Sequence, residues 1–178
     1  MQRLTGLPPV VGPNCRVLVL GSFPSAASLA AQQYYAHSQN RFWPILEQVL
    51  GIGLRELPYD MRTARVTDAG IAIWDIYGAC ERAGSLDSAI RNAEFNDFRR
   101  LLERAPGIRR ACFNGATAAR ALKHLAALGL ETVVLPSTSP ANASQGMAFK
   151  LARWRAALAV TGAQSIFIPE DLTTPAQR

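Results

Sequence analysis

Four apolar runs, separated by longer mixed segments, dominate the hydrophobic pattern of the chain. Unbroken runs of this kind, rich in branched residues, are typical of strands buried on both faces of a parallel sheet. They predict strands over Val17–Leu20, Gly70–Ile76, Ile108–Phe113 and Thr132–Leu135. A shorter run over Ser165–Ile168 predicts an edge strand, and the last residues, 170–178, are expected to be frayed.

Segments with a helical spacing of apolar residues lie between these runs. They predict helices over Pro44–Leu50, Asn96–Arg104, Ala116–Leu128 and Met147–Val160. Residues 52–65 are predicted to be irregular, and residues 77–93 to form a long polar loop or a broken helix. Strands that alternate with helices indicate an α/β fold, in which helices cover both faces of a parallel sheet.

Polar stretches follow the ends of the predicted strands. In a parallel α/β sheet the carboxyl ends of all strands open on one edge, where such folds bind their ligands. Four stretches come directly after those ends: Gly21–Trp43, Trp74–Tyr77, Asn114–Gly115 and Pro136–Ala143. Their convergence predicts a single functional site at this edge of the sheet.

The first of these stretches combines a turn with a dense polar and aromatic segment. Residues 21–24 (GSFP) stop the first strand, and residues 32–43 (QQYYAHSQNRFW) have neither helical nor strand spacing. Flat rings beside amides, a His and an Arg are typical of a loop that stacks a base and binds its edge. The alternative, that the rings are core aromatics beneath a loop, applies to Tyr34, Tyr35, Phe42 and Trp43.

Composition and charge narrow the class of partner. The 178-residue chain has the length of one domain, residues 1–178, and 49% of its residues are hydrophobic. No apolar run is long enough to cross a bilayer and no signal-peptide pattern begins the chain, so we expect a cytoplasmic protein. The formal net charge of +6 favours a nucleic-acid partner.

The cysteines and histidines do not form a metal-binding pattern. Cys15, Cys80 and Cys112 are widely spaced, and His37 and His124 do not complete a zinc site with them. We therefore expect three buried free thiols and no metal site.

The residue types at the predicted edge favour the placing of a water molecule over its deprotonation. The chain contains no Ser-His-Asp order, phosphate-binding glycine loop or dinucleotide fingerprint. Amides and hydroxyls dominate instead, namely Asn40, Asn114, Ser137, Thr138, Ser139 and Asn142. An amide oxygen can hold a water, which suits a reaction with a largely bond-broken transition state, such as cleavage of an N-glycosidic bond. Residues 137–142 also suit a grip on a DNA phosphate backbone, or alternatively an ordinary turn before a helix.

Two extended motifs at this edge resemble those of a known family. The first runs through Gly21-Ser-Phe-Pro, Tyr34-Tyr-Ala-His, Asn40 and Phe42-Trp, and the second is Leu135-Pro-Ser-Thr-Ser-Pro-Ala-Asn. Over roughly Val17–Trp154 the chain resembles the uracil-DNA glycosylase superfamily, most closely its hypoxanthine-DNA (deoxyinosine) glycosylase branch. The resemblance implies a three-layer α/β/α fold with a four-stranded parallel sheet, excision of a deaminated base from DNA, and no metal or organic cofactor.

The resemblance also assigns roles to residues. Uracil-removing relatives have an Asp where Phe23 stands and often a His where Leu135 stands, so catalysis is expected to fall on Asn40. Asp75, a carboxylate at a strand end, is the alternative, since it could polarise the water instead. The expected base pocket comprises Gly21, Ser22, Phe23, Pro24, Tyr35, His37, Phe42, Trp43 and Asn114. The expected DNA contacts are Arg41, Ser137, Thr138, Ser139, Pro140 and Asn142.

The substrate is expected to be DNA with a deaminated base, and the protein a monomer without membrane contact. Hypoxanthine is the expected base, with uracil and xanthine as further possibilities. Two other interpretations stay open: a non-catalytic nucleic-acid-binding module on the same fold, and a flavodoxin-like enzyme acting on free nucleotides.

Overall fold

Two β-sheets form the framework of the protein, of which the computed structural model describes residues 3–159. The strands are β1 (Arg3–Thr5), β2 (Val17–Gly21), β3 (Ile71–Asp75), β4 (Tyr77–Glu81), β5 (Arg91–Phe95), β6 (Arg110–Asn114) and β7 (Glu131–Leu135). Four of them form a parallel sheet in the order β3-β2-β6-β7. The other three form an antiparallel sheet in the order β1-β4-β5.

Helices pack around the parallel sheet. They are α1 (Ala26–Ala31), α2 (Phe42–Leu50), α3 (Tyr59–Asp68), α4 (Phe98–Arg104), α5 (Leu122–Ala127) and α6 (Met147–Leu158), with 3-10 turns at Asp87–Ala89 and Ala118–Ala121. Helix α3 packs against β3, α5 and α6 pack against β7, and α2 packs against α6. Within residues 3–159, no helix has the length and apolar character needed to cross a membrane.

The parallel sheet is the one that the sequence predicted. Strands β2 and β3 are buried along their whole length, as unbroken apolar runs require when both faces of a sheet are covered. The last residue pairs of the ladders are Gly21 with Asp75, and Asn114 with Leu135. The strand ends are therefore level, and the residues that follow them meet at one edge.

The core joins the sheet to the inner faces of the helices. Phe42 of α2 and Trp154 of α6 are among its largest fully buried side chains and meet edge to face, with ring centroids 5.8 Å apart. Cys15, Cys80 and Cys112 are buried and free, as predicted.

Two segments contradict the sequence prediction. Residues 52–65, predicted to be irregular, contain the first turns of α3, in which Val66 is the one buried residue and most positions face solvent. Residues 77–93 form β4, a 3-10 turn and most of β5, where a polar loop or broken helix was predicted. These strands lie outside the main sheet and β5 is largely exposed, so no unbroken apolar run marks them.

Several boundaries also differ. Helix α2 begins at Phe42 instead of Pro44, and the Asn40 side chain accepts a hydrogen bond from the Phe42 N–H at 2.9 Å in the turn just before the helix. The helix predicted over 116–128 is divided into a 3-10 turn and α5. The predicted strand at 165–168 and the predicted frayed tail lie outside the described residues.

Candidate active site

A cavity of about 260 Å³ opens at the carboxyl edge of the parallel sheet. All four stretches singled out in the sequence contribute to its wall, together with the connection between β4 and β5. Of the predicted site residues, the structure brings the following into the wall: Gly21, Ser22, Phe23, Pro24, Tyr35, Asn40, Asp75, Asn114, Ser137, Thr138, Ser139 and Asn142.

Two rings assigned to the base pocket lie in the core instead. Phe42 is fully buried behind Tyr35, on which it stacks with ring centroids 3.8 Å apart. Trp43 is also buried, and its indole N–H donates to the Tyr34 carbonyl at 2.9 Å. Both rings belong to the first turn of α2, whose buried face packs towards α6. For Phe42 and Trp43 the structure therefore favours the core alternative.

His37 stays within its own loop. Its Nδ1 accepts a hydrogen bond from the Gln39 N–H at 3.2 Å, and its carbonyl accepts one from the Asn40 N–H at 2.9 Å. These local bonds shape the turn that presents Asn40. His37 therefore contributes to the site by supporting this turn.

The turn after β2 is held by the antiparallel sheet. Arg82, the residue after β4, is 5% exposed and donates a hydrogen bond from Nη2 to the Pro24 carbonyl at 2.5 Å. Its guanidinium lies over the Phe23 ring, 5.1 Å from the ring centroid. Ser22 Oγ donates to Asp87 Oδ1 at 2.6 Å. A Cβ added to Gly21 would overlap with Asp75 Oδ1. These contacts fix the shape of the turn, and Phe23 lines the cavity.

Asn40 has one end of its amide fixed and the other free. Its Oδ1 accepts a hydrogen bond from the Phe42 N–H at the start of α2, whereas Nδ2 donates to no other group within residues 3–159. The next residue, Arg41, donates its backbone N–H to the Thr138 carbonyl at 2.9 Å, which ties this loop to the second motif. Asn40 is therefore a preoriented donor at the cavity wall, with a second lone pair left on its oxygen.

Asn114 joins β6 to the second motif through a double hydrogen bond. Its Nδ2 donates to Thr138 Oγ1 at 2.8 Å, and its Oδ1 accepts the Thr138 N–H at 2.9 Å. The adjacent Gly115 has φ of +96°, and a Cβ there would lie 2.9 Å from the Ser137 Cβ. Asn114, which was expected to contact the base, lines the cavity and also positions the loop after β7.

The loop after β7 is braced by short-range bonds. Ser137 Oγ accepts the Ser139 N–H and Ser139 Oγ accepts the Ala141 N–H, both at 3.2 Å. Asn142 Nδ2 donates to the Ser137 carbonyl at 3.2 Å, and Lys150 Nζ donates to the Asn142 carbonyl at 2.7 Å. These bonds keep the hydroxyl-rich loop in one shape at the cavity mouth.

A second cavity, of about 530 Å³, lies beside this loop and is basic. Arg41 and Lys150 line it together with Ser139, Pro140 and Asn142. Burial first, and the nearby Arg41 second, lower the pKa of Lys150 below its ordinary value. Two cations beside a loop of hydroxyls and backbone N–H groups form a surface that suits a phosphate.

Asp75 and Tyr35 differ from the rest of the cavity wall. Asp75 is 4% exposed, and neither its Oδ2 nor the Tyr35 hydroxyl has a hydrogen-bond partner within the described part of the chain. Burial, and next the charge of Asp87, raise the pKa of Asp75 to about 8, while Arg82 acts in the opposite direction. Burial and then Asp75 raise the pKa of Tyr35 above its ordinary value, against a smaller opposing effect of the nearby Asn114 amide, which lies outside hydrogen-bonding geometry.

The backbone also directs Tyr35 into the cavity. Its φ of +55° lies in the left-handed region, which residues other than Gly, Asn and Asp seldom occupy. Such a conformation persists only where the surroundings enforce it, and it is common at functional sites.

Sequence analysis missed the contribution of the β4–β5 connection. Asp87 and Leu86 line the cavity, and Arg82 supports the turn after β2. The signal that could have found them is topological, because only the recognition of β4 and β5 as a hairpin brings its tip to this edge. Lys150 was also missed, since one Lys inside a helical pattern has no signature of its own.

The titratable side chains of the described residues do not gather as metal ligands. No group of three or more His, Cys, Asp or Glu residues in positions 3–159 is arranged to hold a metal ion.

Comparisons with known proteins agree with this geometry. The family model described as the Uracil DNA glycosylase superfamily matches residues 8–159. A protein of Methanosarcina acetivorans named hypoxanthine DNA glycosylase is 40% identical over 137 residues, which cover 77% of this chain and 87% of the relative. One of Methanosarcina barkeri with the same name is 36% identical over 141 residues, which cover 79% and 89% of the two chains.

A solved structure is similar as well. The solution NMR structure of a candidate uracil DNA glycosylase from Methanosarcina acetivorans aligns with a TM-score of 0.81 at 36% identity, covering 90% of this chain and 99% of that one. The α/β/α fold and the family that the motifs indicated are thereby confirmed. The chain belongs to the uracil DNA glycosylase superfamily.

Proposed function

We propose that the protein is a monofunctional DNA glycosylase, which flips a deaminated base out of DNA and hydrolyses its N-glycosidic bond. Hypoxanthine is the proposed main substrate, because the two relatives described above carry the name hypoxanthine DNA glycosylase. Uracil and xanthine are further candidates. The product is an abasic site, and repair of that site would need other enzymes.

The observation that carries this proposal is the cavity itself. Its volume of about 260 Å³ is just below the range of about 300–1,000 Å³ that is typical of small-molecule pockets, which suits one flipped base better than a whole nucleotide. Phe23 and Tyr35 supply rings, and Asn40 supplies a preoriented amide. A base enters such a pocket only after it has left the stack, at a cost of a few kcal/mol that is least for damaged or mispaired bases.

Asn40 is the residue that we assign to the hydrolysis step. Its free Nδ2 and the remaining lone pair of Oδ1 can hold a water, or the sugar, beside the bond to be broken. Because the hydrogen bond to the Phe42 N–H already fixes the amide, little reorganisation is needed to hold the water while the bond to the sugar breaks.

The basic cavity completes the proposal on the DNA side. Arg41 and Lys150 would face a backbone phosphate next to the flipped nucleotide, and the loop of Ser137–Asn142 would supply hydroxyls and N–H groups. Such contacts hold the DNA in register without reading its sequence.

A panel of oligonucleotides tests the proposal. Single- and double-stranded DNA with one inosine, uracil, xanthine or adenine is incubated with the protein in EDTA and then treated with alkali. We expect a break at inosine and none at adenine. Binding without a break would support the non-catalytic module, and hydrolysis of free inosine with intact DNA would support the nucleotide enzyme. Asn40→Ala, purified in the same way, controls for a contaminating glycosylase.

A further inference from the structure

One acid of the cavity is buried and has an oxygen without a partner. Asp75 is the last residue of β3, it lines the cavity, and its Oδ2 has no hydrogen-bond partner within the described residues. The close approach of its Oδ1 to Gly21 leaves no room for a Cβ there. Asp75 is therefore held in place by packing while one of its oxygens remains unused.

The neighbours of Asp75 favour its neutral form. The groups that face it are Asp87 from the 3-10 turn, Arg82 after β4, Tyr34 and Tyr35 from the loop after α1, and Tyr59 from α3. Burial, and next the charge of Asp87, oppose ionisation of Asp75, and Arg82 favours it, so the pKa is raised to about 8. At neutral pH the side chain therefore carries a proton that it can donate.

The proposed reaction needs such a proton. When the bond to the sugar breaks, the base takes the electron pair, and an anion is costly beside buried groups such as Asp75. The other groups in the described part of the wall are amides and hydroxyls, and Asp87, the second carboxyl, accepts the Ser22 hydroxyl. Among the described wall residues, Asp75 is the group best suited to neutralise the leaving base.

We propose that Asp75 acts as the general acid that protonates the departing base. The proposal rests on the function proposed above, and it replaces the earlier alternative in which Asp75 polarises the water. Asn40 and Asp75 then have separate tasks, one at the water or sugar and one at the base.

The step balances without any reactant beyond water. The bond between C1′ and the base nitrogen breaks, and its electron pair goes to the base. The proton of Asp75 Oδ2 bonds to another ring nitrogen, so the base leaves neutral and Asp75 becomes a carboxylate. Water adds to C1′ and releases one proton, and a proton taken up from solvent restores Asp75.

The pH dependence of single-turnover cleavage tests this assignment. For the wild type on inosine DNA, the rate should be level below about pH 8 and fall tenfold per unit above it. Asp75→Asn keeps the shape of the side chain and an N–H donor but cannot transfer the proton. We expect it to be slower by about 10²–10⁴-fold near neutral pH, and to lack the falling limb.

Asp87→Asn is the matched control, because it removes the other carboxylate of the cavity. Without that charge the pKa of Asp75 should be lower, so the falling limb should move to lower pH. Binding of each variant to DNA with an abasic site, and its thermal unfolding, verify that the fold is intact.

The outcomes separate the two proposals. If the wild type releases no hypoxanthine at any pH, the proposed function is wrong. If the wild type is active and Asp75→Asn has the same rate and pH profile, only the role of Asp75 is wrong. If the wild-type rate rises through pH 8 and this rise is absent in Asp75→Asn, Asp75 acts as a base. That result would also overturn the inference.

Discussion

The two sides of the cavity use their polar atoms in opposite ways. On the braced side, Asn114 and Thr138 exchange two hydrogen bonds, and the hydroxyls of Ser137 and Ser139 accept backbone N–H groups. On the open side, Asp75 Oδ2 and the Tyr35 hydroxyl are buried without partners. A buried polar group without a partner costs about 1–3 kcal/mol, so the open side lowers the stability of the fold.

This difference separates scaffold from chemistry. Buried polar groups in native proteins are nearly always paired, and the exceptions are concentrated where a ligand or a reaction will use them. The third such atom in the described residues, Arg82 Nη1, lies beside the turn that carries Phe23. We infer that the braced side sets the shape of the site, whereas the open side is reserved for the base.

Asn40 combines both patterns, so its removal should have a large effect on the reaction. Asn40→Ala should slow single-turnover cleavage of inosine DNA by about 10²–10³-fold, as expected when one preoriented transition-state donor is lost. Affinity for DNA should change little, because the interaction is made mainly in the transition state.

The hydrogen bond between Asn40 and the Phe42 N–H requires a separate control for this prediction. Asn40→Ala also removes this bond at the start of α2, which is worth about 1 kcal/mol of stability. Asn40→Asp keeps an oxygen for the Phe42 N–H but has no amide donor. If Asn40→Ala cleaves at the wild-type rate, the free amide has no part in the reaction.

The raised pKa of Asp75, on the open side, should make the free energy of unfolding depend on pH. Asp75 has a pKa of about 8 in the fold against an ordinary value of 3.8, so between these values the folded state holds one more proton than the unfolded state. Asp75 therefore stabilises the fold fully only at low pH, and this contribution is lost as pH rises to about 8, with a slope of up to about 1.4 kcal/mol per unit. Asp75→Asn should lack that loss. Denaturant unfolding from pH 5 to 9 measures it, and equal slopes for both proteins would contradict the raised pKa.

Substitutions on the braced side should lower the free energy of unfolding. Asn114→Ala leaves the buried Thr138 N–H and hydroxyl without partners, which should lower the free energy of unfolding by about 1–3 kcal/mol. Thr138→Ser retains both bonds and serves as the matched control. A stable Asn114→Ala that has lost base discrimination would instead return Asn114 to the base pocket.

The smallest effect is expected at the basic cavity. Arg41→Gln should weaken DNA binding to a similar extent for every base, and lower the slope of log affinity against log salt by about one. Arg109→Gln is the control, because Arg109 directly precedes β6 and so lies at the opposite edge of the sheet. Equal slopes for the two variants would remove Arg41 from the DNA contacts.

The sheet and the first motif could be predicted because their signals are local. Val17–Leu20 is apolar without interruption, and the turn and loop that follow carry the residues that line the cavity. Helix α3 could not be predicted in this way, since most of its residues face solvent and only Val66 is buried. Strand β5 is exposed along most of its length, which leaves no alternation of apolar and polar residues to detect.

Side-chain assignments depended on information that only the fold contains. Phe42 and Trp43 look the same in the sequence as Tyr35, yet the start of α2 turns them into the core while a left-handed backbone directs Tyr35 to the cavity. Asp75 could be singled out from its place at a strand end. Its raised pKa could not, because that depends first on burial in the folded protein and then on Asp87, which is 12 residues further along and arrives through the β4–β5 hairpin.

The most direct test of the account is a measurement of both products of the wild-type protein. DNA with one inosine is incubated in EDTA, free hypoxanthine is quantified by chromatography, and abasic sites are counted by alkaline cleavage of the same sample. We predict one hypoxanthine for each abasic site, with no strand break before alkali. Intact DNA under conditions where the protein binds it, or hypoxanthine released only from free inosine, would contradict the central claim that this cavity excises a base from DNA.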